Sequence, residues 1–251
     1  MTKAVNIVSF NIPYPPNYGG VIDVFYKIKS LSKEGYEVYL HTFIYDRSSS
    51  DELERICKKV YYYKRNTGLL YNLSLLPYIV YSRKQKELLI NLSSNDFPII
   101  FEGLHCCYYL GHKSLTSRLL VYRESNIEHE YYKHLAIAEK NLLKALYYRL
   151  EAFRLKWYEK NLNKADLILA VSKEDANYFE GKYKTRVCYL PSFKGVESVA
   201  SKIGKGNYIL YHANLSVSEN RKACLYLINN VFSKVKHKCI IAGLSPDNEL
   251  V

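Results

Sequence analysis

Short apolar runs bounded by turn residues recur along this chain, and stretches with helical spacing fall between them. Ala4–Phe10, Tyr36–Phe43, Val60–Tyr63, Pro98–Glu102, Arg118–Tyr122, Ala165–Val171 and Arg186–Leu190 read as strands. Apolar residues at 21, 24, 25, 28 and 31 mark one face of a helix that Gly35 closes. Asp51–Lys58 reads as a short helix, and Leu69–Asn91 is helical in tendency with a break near Pro77. From residue 127 to 157 apolar residues recur at about 3.75 per step, one side of a long helix, straight or bent. Strands separated by helices pair in parallel through right-handed crossovers. The expected fold class is therefore α/β, a Rossmann-like parallel sheet flanked by helices over residues 1–192.

Phe193–Asn207 is polar and rich in Gly, Ser and Lys, and reads as a linker. The pattern then restarts with strand Tyr208–His212, helix Arg221–Phe232 and strand Cys239–Ala242. So few strands do not make an independent sheet of ordinary size, so 208–251 is expected to be the incomplete start of a second Rossmann-like domain.

Composition narrows the function classes. A hydrophobic content of 48% with mixed charge describes a globular chain, and the net charge of +12 suits nucleic acid, an anionic membrane surface or a phosphorylated substrate. No RNP-like, zinc-finger or helix-turn-helix pattern supports nucleic acid, which is set aside as a partner. The six cysteines form no Cys-x-x-Cys pair, and no histidine stands at zinc-finger spacing, so no metal site is expected. The chain enters its first strand at once, without an apolar leader, and Leu69–Tyr81 is too short to span a bilayer. A cytoplasmic location is expected.

Three places carry chemistry. Gly19-Gly20 ends a Pro-rich loop and opens a helix, where backbone N–H groups hold a phosphate or simply make a turn. Glu102 and His105 follow a buried strand at the carboxyl edge of the sheet, as a site or as a polar loop. Val121–Tyr132 holds Arg123, Glu124, Ser125, Asn126, Glu128 and His129, more polar chemistry than a connecting turn needs. Arg123 there offers a fork of donors for a carboxylate or phosphate, and Asn126 suits a sugar hydroxyl. Ser125 or Asn126 could equally cap the following helix, with Glu128 and Glu130 at its positive end. Ser172, with Asp175 three residues on, has capping-box spacing. The lysines and arginines between 133 and 164 read as a solvated face or as a surface for an anionic membrane.

In this order the segments resemble the family 4 glycosyltransferases, nucleotide-sugar enzymes of the GT-B type with two facing Rossmann-like domains. Pro15-Pro-Asn-Tyr-Gly-Gly20 is similar to the family's N-terminal Gly-Gly loop. Phe101-Glu-Gly-Leu-His105 is similar to the acceptor-side loop of bacterial mannosyltransferases, and Arg123–His129 to their Arg-x-His-Asn-x-Glu-His segment. Ala165–Ser172 is similar to a strand ending in Ser, and His212–Asn220, which includes Asn214, to the loop that opens the donor domain.

The resemblance implies retaining transfer of a hexose, with mannose as a candidate, from a UDP- or GDP-sugar to a glycan or lipid-linked glycan, with neither cofactor nor bound metal. It implies substrate contacts from Gly19, Gly20, His105, Arg123, Asn126, Ser172 and Asn214, and catalytic candidates among Glu102, Ser125 and Glu128. Peripheral contact with the anionic inner membrane face would follow from lipid-linked acceptors. Ser125 stands where the family pattern has His, and serine cannot serve as a base near neutral pH. The family's donor-binding residues would lie beyond Val251, so the chain alone is expected to be inactive or nearly so. The other reading is a non-catalytic glycan- or membrane-binding module that supplies half a site to a partner chain.

Overall fold

A computed structural model of the chain describes residues 3–196, 198–201 and 203–246. Seven strands, β1 (Ala4–Ser9), β2 (Glu37–Ile44), β3 (Lys59–Lys64), β4 (Ile99–Glu102), β5 (Leu120–Arg123), β6 (Leu167–Ala170) and β7 (Arg186–Tyr189), form one sheet. All pairs are parallel and the order is β3-β2-β1-β4-β5-β6-β7. This is the expected α/β class, with strand ends shifted by a residue or two. All six residues of β1 are buried, as a central strand covered on both faces requires.

Helix α1 (Gly19–Lys33) presses Val24, Phe25 and Ile28 onto Val5, Ile7, Val38 and Leu40, with Leu53 of the short α2 (Asp51–Ile56) in the same cluster. Gly35, at φ +80°, turns the chain from α1 into β2. The stretch from Leu69 breaks into three short helices, α3 (Leu69–Asn72), α4 (Tyr78–Tyr81) and α5 (Lys86–Leu92), with Pro77 just before α4.

The long helix expected from 127 to 157, straight or bent, is interrupted outright and forms two helices, α6 (Glu128–Ala138) and α7 (Leu142–Tyr158). Asn141 makes the break: its Oδ1 accepts the N–H groups of Leu143 and Lys144 at 3.0 and 3.1 Å and caps the start of α7. The apolar side read from periodicity is not the packed one. Helix α7 buries Ala145, Ala152, Leu155 and Tyr158, whereas Leu142, Leu146, Leu150, Phe153 and Trp157 face solvent.

Helix α8 (Lys173–Glu180) begins at the expected cap: Ser172 Oγ accepts the Asp175 N–H at 3.0 Å and donates to Asp175 Oδ2 at 2.7 Å. The first residues of the expected linker are packed, since the Phe193 N–H donates to Asp23 Oδ1 at 2.7 Å. The chain divides into two compact units, one of residues up to Tyr131 with Leu150–Val196, the other of Tyr132–Arg149 with the segment after Val196. In the second, β8 (Tyr208–Asn214) and β9 (Lys238–Leu244) pair in parallel, joined by α9 (Ser218–Asn230).

Candidate functional site

The strand order reverses between β1 and β4: from β1 the sheet grows through β2 to β3, and from β4 it grows the other way to β7. Open parallel sheets leave a crevice at the carboxyl ends of such a pair, because the loops on the two sides part there. Phe10 follows β1, Gly103 and His105 follow β4, and Glu124, Ser125 and Glu128 follow β5.

Beneath the crevice lies a buried ionic cluster. Lys27 Nζ donates to Glu102 Oε1 and Oε2 at 2.7 and 2.8 Å and to Asp23 Oδ2 at 3.0 Å. Arg123 Nε and Nη2 reach the two Asp23 oxygens at 3.2 Å each. Arg123 also donates from Nη1 to the Leu190 carbonyl at 2.5 Å and from Nη2 to the Pro191 carbonyl at 3.2 Å. Burial works against the Asp23 carboxylate, but Lys27, Arg123 and the Phe193 N–H together hold its pKa below the usual value. Burial pushes Glu102 up, against the pull of Lys27. Buried charges persist only when paired in this way. The cluster ties α1, β4, β5 and the exit from β7 into one floor.

Above it the polar groups lack partners. His105 Nδ1 faces Glu128 Oε1 at 3.6 Å, beyond hydrogen-bond length, and neither atom has a hydrogen bond. Glu124 is fully buried; its Oε2 accepts the Val171 N–H at 3.0 Å, while Oε1 has no partner. Burial raises Glu124 to about 7, and burial with the neighbouring Glu124 raises Glu128 to about 8. Burial and the charges of Arg83 and Arg65 push His105 well below its ordinary value, so its imidazole is neutral. Arg83 holds the loop after β1 by donating from Nε and Nη2 to the Phe10 carbonyl at 3.1 and 2.9 Å. The Phe10 ring lies 5.4 Å from that of His105.

The glycines set the shape. Gly103 has φ +73°, and a Cβ on it would meet His105 Nδ1 at 3.1 Å and Ser125 Oγ at 3.3 Å. A Cβ on Gly20 would stand 2.7 Å from the Phe10 ring, whereas one on Gly19 would meet nothing within 4 Å. Gly20 thus serves packing, and Gly19 presents open backbone at the N-terminus of a 15-residue helix.

No family model matches the sequence. An uncharacterized 44.6 kDa protein in the cps region of Klebsiella pneumoniae is 29% identical over 245 residues, covering 94% of this chain; the chain spans 62% of that relative's length. Among solved structures, Medicago truncatula UGT71G1 complexed with UDP-glucose superposes with a TM-score of 0.54 at 8% identity, over 99% of this chain and 68% of that one. The fold is glycosyltransferase-like.

On this glycosyltransferase-like frame the expected site residues separate. His105, Ser125 and Glu128 gather at the crevice with Gly103 and Glu124, and Asn126 is exposed at the same turn. Arg123, expected to hold a ligand's carboxylate or phosphate, is instead fully buried with its donors on Asp23 and two carbonyls. Glu102, a catalytic candidate, is buried and ion-paired with Lys27. The expected cap at Ser125 or Asn126 is displaced to the next residue: α6 starts at Glu128, and the Ile127 carbonyl accepts from the N–H groups of Glu130 and Tyr131.

Ser172 is engaged in capping α8. Asn214, in the second unit, shapes the turn after β8 through Ser216, whose N–H and Oγ donate to its Oδ1 at 3.1 and 2.8 Å. Among the described residues no group of three or more His, Cys, Asp or Glu is placed to hold a metal ion.

Asp23, Lys27, Arg83 and Phe10 carry no signal in the sequence that marks them for the site, and Glu124 is marked only as one of the polar residues of Val121–Tyr132, without a role. Asp23 and Lys27 lie away from the apolar stripe of α1 on a helical wheel, and so resemble solvent-facing charges. Their i, i+4 spacing was the one local sign that they pair.

Proposed function

We propose that this chain is the acceptor-side part, with the first βα units of the donor-side part, of a retaining glycosyltransferase. It would transfer a hexose, with mannose as first candidate, from a UDP- or GDP-sugar to a glycan or lipid-linked glycan, without a cofactor. One observation carries the reading. Beside the reversal between β1 and β4, unsatisfied polar atoms of His105, Glu124 and Glu128 stand together after the strand ends.

Such atoms suit an uncharged polyhydroxyl ligand. A sugar hydroxyl can donate to one of them and accept from another. The neutral His105 would orient a hydroxyl, and Ser125 and Asn126 would add contacts at the open side. Glu128, titrating near neutrality, is the group best able to give or take a proton, as an acid–base role requires. Gly19 would let the donor phosphate approach the start of α1. The UDP-glucose bound to the structural neighbour and the cps-region origin of the relative support this choice of substrate class.

The test is release of UDP or GDP, and transfer of labelled hexose, from UDP-glucose and GDP-mannose by the complete natural polypeptide. Turnover is expected, and His105→Ala and Glu128→Gln should each lower it by roughly 100-fold. No turnover with either donor, together with retained glycan binding, would replace the enzyme with the non-catalytic binding module.

A further inference from the structure

Glu128 has no hydrogen bond at Oε1 to hold it toward His105, so its direction depends on the backbone that carries it. That backbone is the first turn of α6, and helix ends fray unless something fastens them. The next residue is placed to do so. Successive helical residues point about 100° apart, so Glu128 looks at the crevice while His129 looks back into the packed interior. There His129 Nδ1 bonds Glu159 Oε2 at 3.0 Å, and Nε2 stands 3.0 Å from Glu130 Oε1. The imidazole is therefore held at both ring nitrogens.

Glu159 is an anchor in its own right. It follows α7 directly, it is buried, and its Oε1 accepts from Lys182 Nζ at 2.6 Å, Tyr183 OH at 2.7 Å and Tyr178 OH at 2.8 Å. Burial works against the carboxylate, but the hydrogen bonds of His129, Lys182, Tyr183 and Tyr178 hold its pKa down at about 2. A buried carboxylate with three donors on one oxygen stays paired when His129 is removed. The bond between His129 and Glu159 thus matters more to the start of α6 than to Glu159.

We infer that His129 is a positioning residue for Glu128: by bonding Glu159 it fixes the first turn of α6 and aims the Glu128 carboxyl at His105. The inference rests on the reading of Glu128 as the acid–base group of the crevice, and adds to it the residue that keeps that group in place.

The test reads the position of Glu128 through its titration. Burial first, and then Glu124, raise Glu128, with Arg83 opposing them, so a carboxyl released toward water titrates lower. The carboxyl carbons of the glutamates are labelled with carbon-13 in the full chain, and the Glu128 signal is identified by its loss in Glu128→Gln. His129→Leu should lower the Glu128 midpoint by about one pH unit, a tenfold loss of proton affinity. Asn places its amide where Nδ1 stands, and Gln where Nε2 stands. His129→Asn should therefore keep the wild-type midpoint, whereas His129→Gln should lower it as Leu does. Circular dichroism and melting temperature should show all three variants folded, because Glu159 keeps Lys182, Tyr178 and Tyr183. An unchanged midpoint in folded His129→Leu and His129→Gln would overturn the inference. Unfolding of both would do so too, since it would make His129 a residue of the fold alone. The titration needs no nucleotide-sugar, so an absence of turnover would count against the transfer reading and leave the placement of Glu128 by His129 standing.

Discussion

His105 Nδ1 and Glu128 Oε1 face each other 3.6 Å apart, and neither has a hydrogen bond. Both are held in their neutral forms by burial, so a ligand hydroxyl or a water placed between them could satisfy both. The arrangement has a consequence for stability as well as for binding.

Glu128 titrates at about 8 in the folded protein against an ordinary 4.5. Between those values the folded protein keeps a proton that the unfolded chain releases. Stability fully present below 4.5 is therefore lost as pH rises through about 8, by at most about 1.4 kcal/mol for each pH unit. Glu128→Gln removes this titration. Thermal unfolding across the window should show a shallower decline for the variant, and the same slope in both proteins would refute the assignment.

Arg123 is predicted to be structural rather than ligand-binding. Its removal would leave Asp23 without its forked partner and the Leu190 and Pro191 carbonyls without donors. Arg123→Ala should cost about 3–5 kcal/mol in urea unfolding. Arg123→Lys should not restore it, because a single ammonium cannot reproduce a planar fork. A stable Arg123→Ala protein with impaired ligand binding would return Arg123 to the site.

The glycines should behave unlike one another. Gly103→Ala introduces a side chain at φ +73° and crowds His105 Nδ1, which should destabilise the fold by about 1–2 kcal/mol. Gly20→Ala should displace the Phe10 ring from its place beside His105. Gly19→Ala meets open space, so melting temperature should hold while nucleotide-sugar affinity of the complete polypeptide falls. Equal affinity for wild type and Gly19→Ala would remove Gly19 from the phosphate-binding role.

Much of the fold was legible because its signals are local. Apolar runs between turn residues marked every strand of the sheet, and Ser172 with Asp175 marked the start of α8. The crevice residues His105, Ser125 and Glu128 were legible for a related reason: strand ends in an α/β chain fall at one edge of the sheet. The break at Asn141 was written in the sequence too, as a capping residue inside an otherwise periodic run, but periodicity alone passed over it.

What the sequence by itself determined, then, was the set of elements, their parallel pairing and the edge at which polar residues collect. These depend on residue spacing and on the handedness of crossovers. Only the tertiary structure decided which polar residues are available. Arg123 meets Asp23 from 100 residues away and Lys27 meets Glu102 from 75 residues away, and each pair is committed to the floor rather than to a ligand. It likewise decided that α7 turns Ala145 and Ala152 inward and Phe153 and Trp157 outward. An amphipathic period shows that a helix has an apolar side; the surfaces that meet it in space determine whether that side is buried.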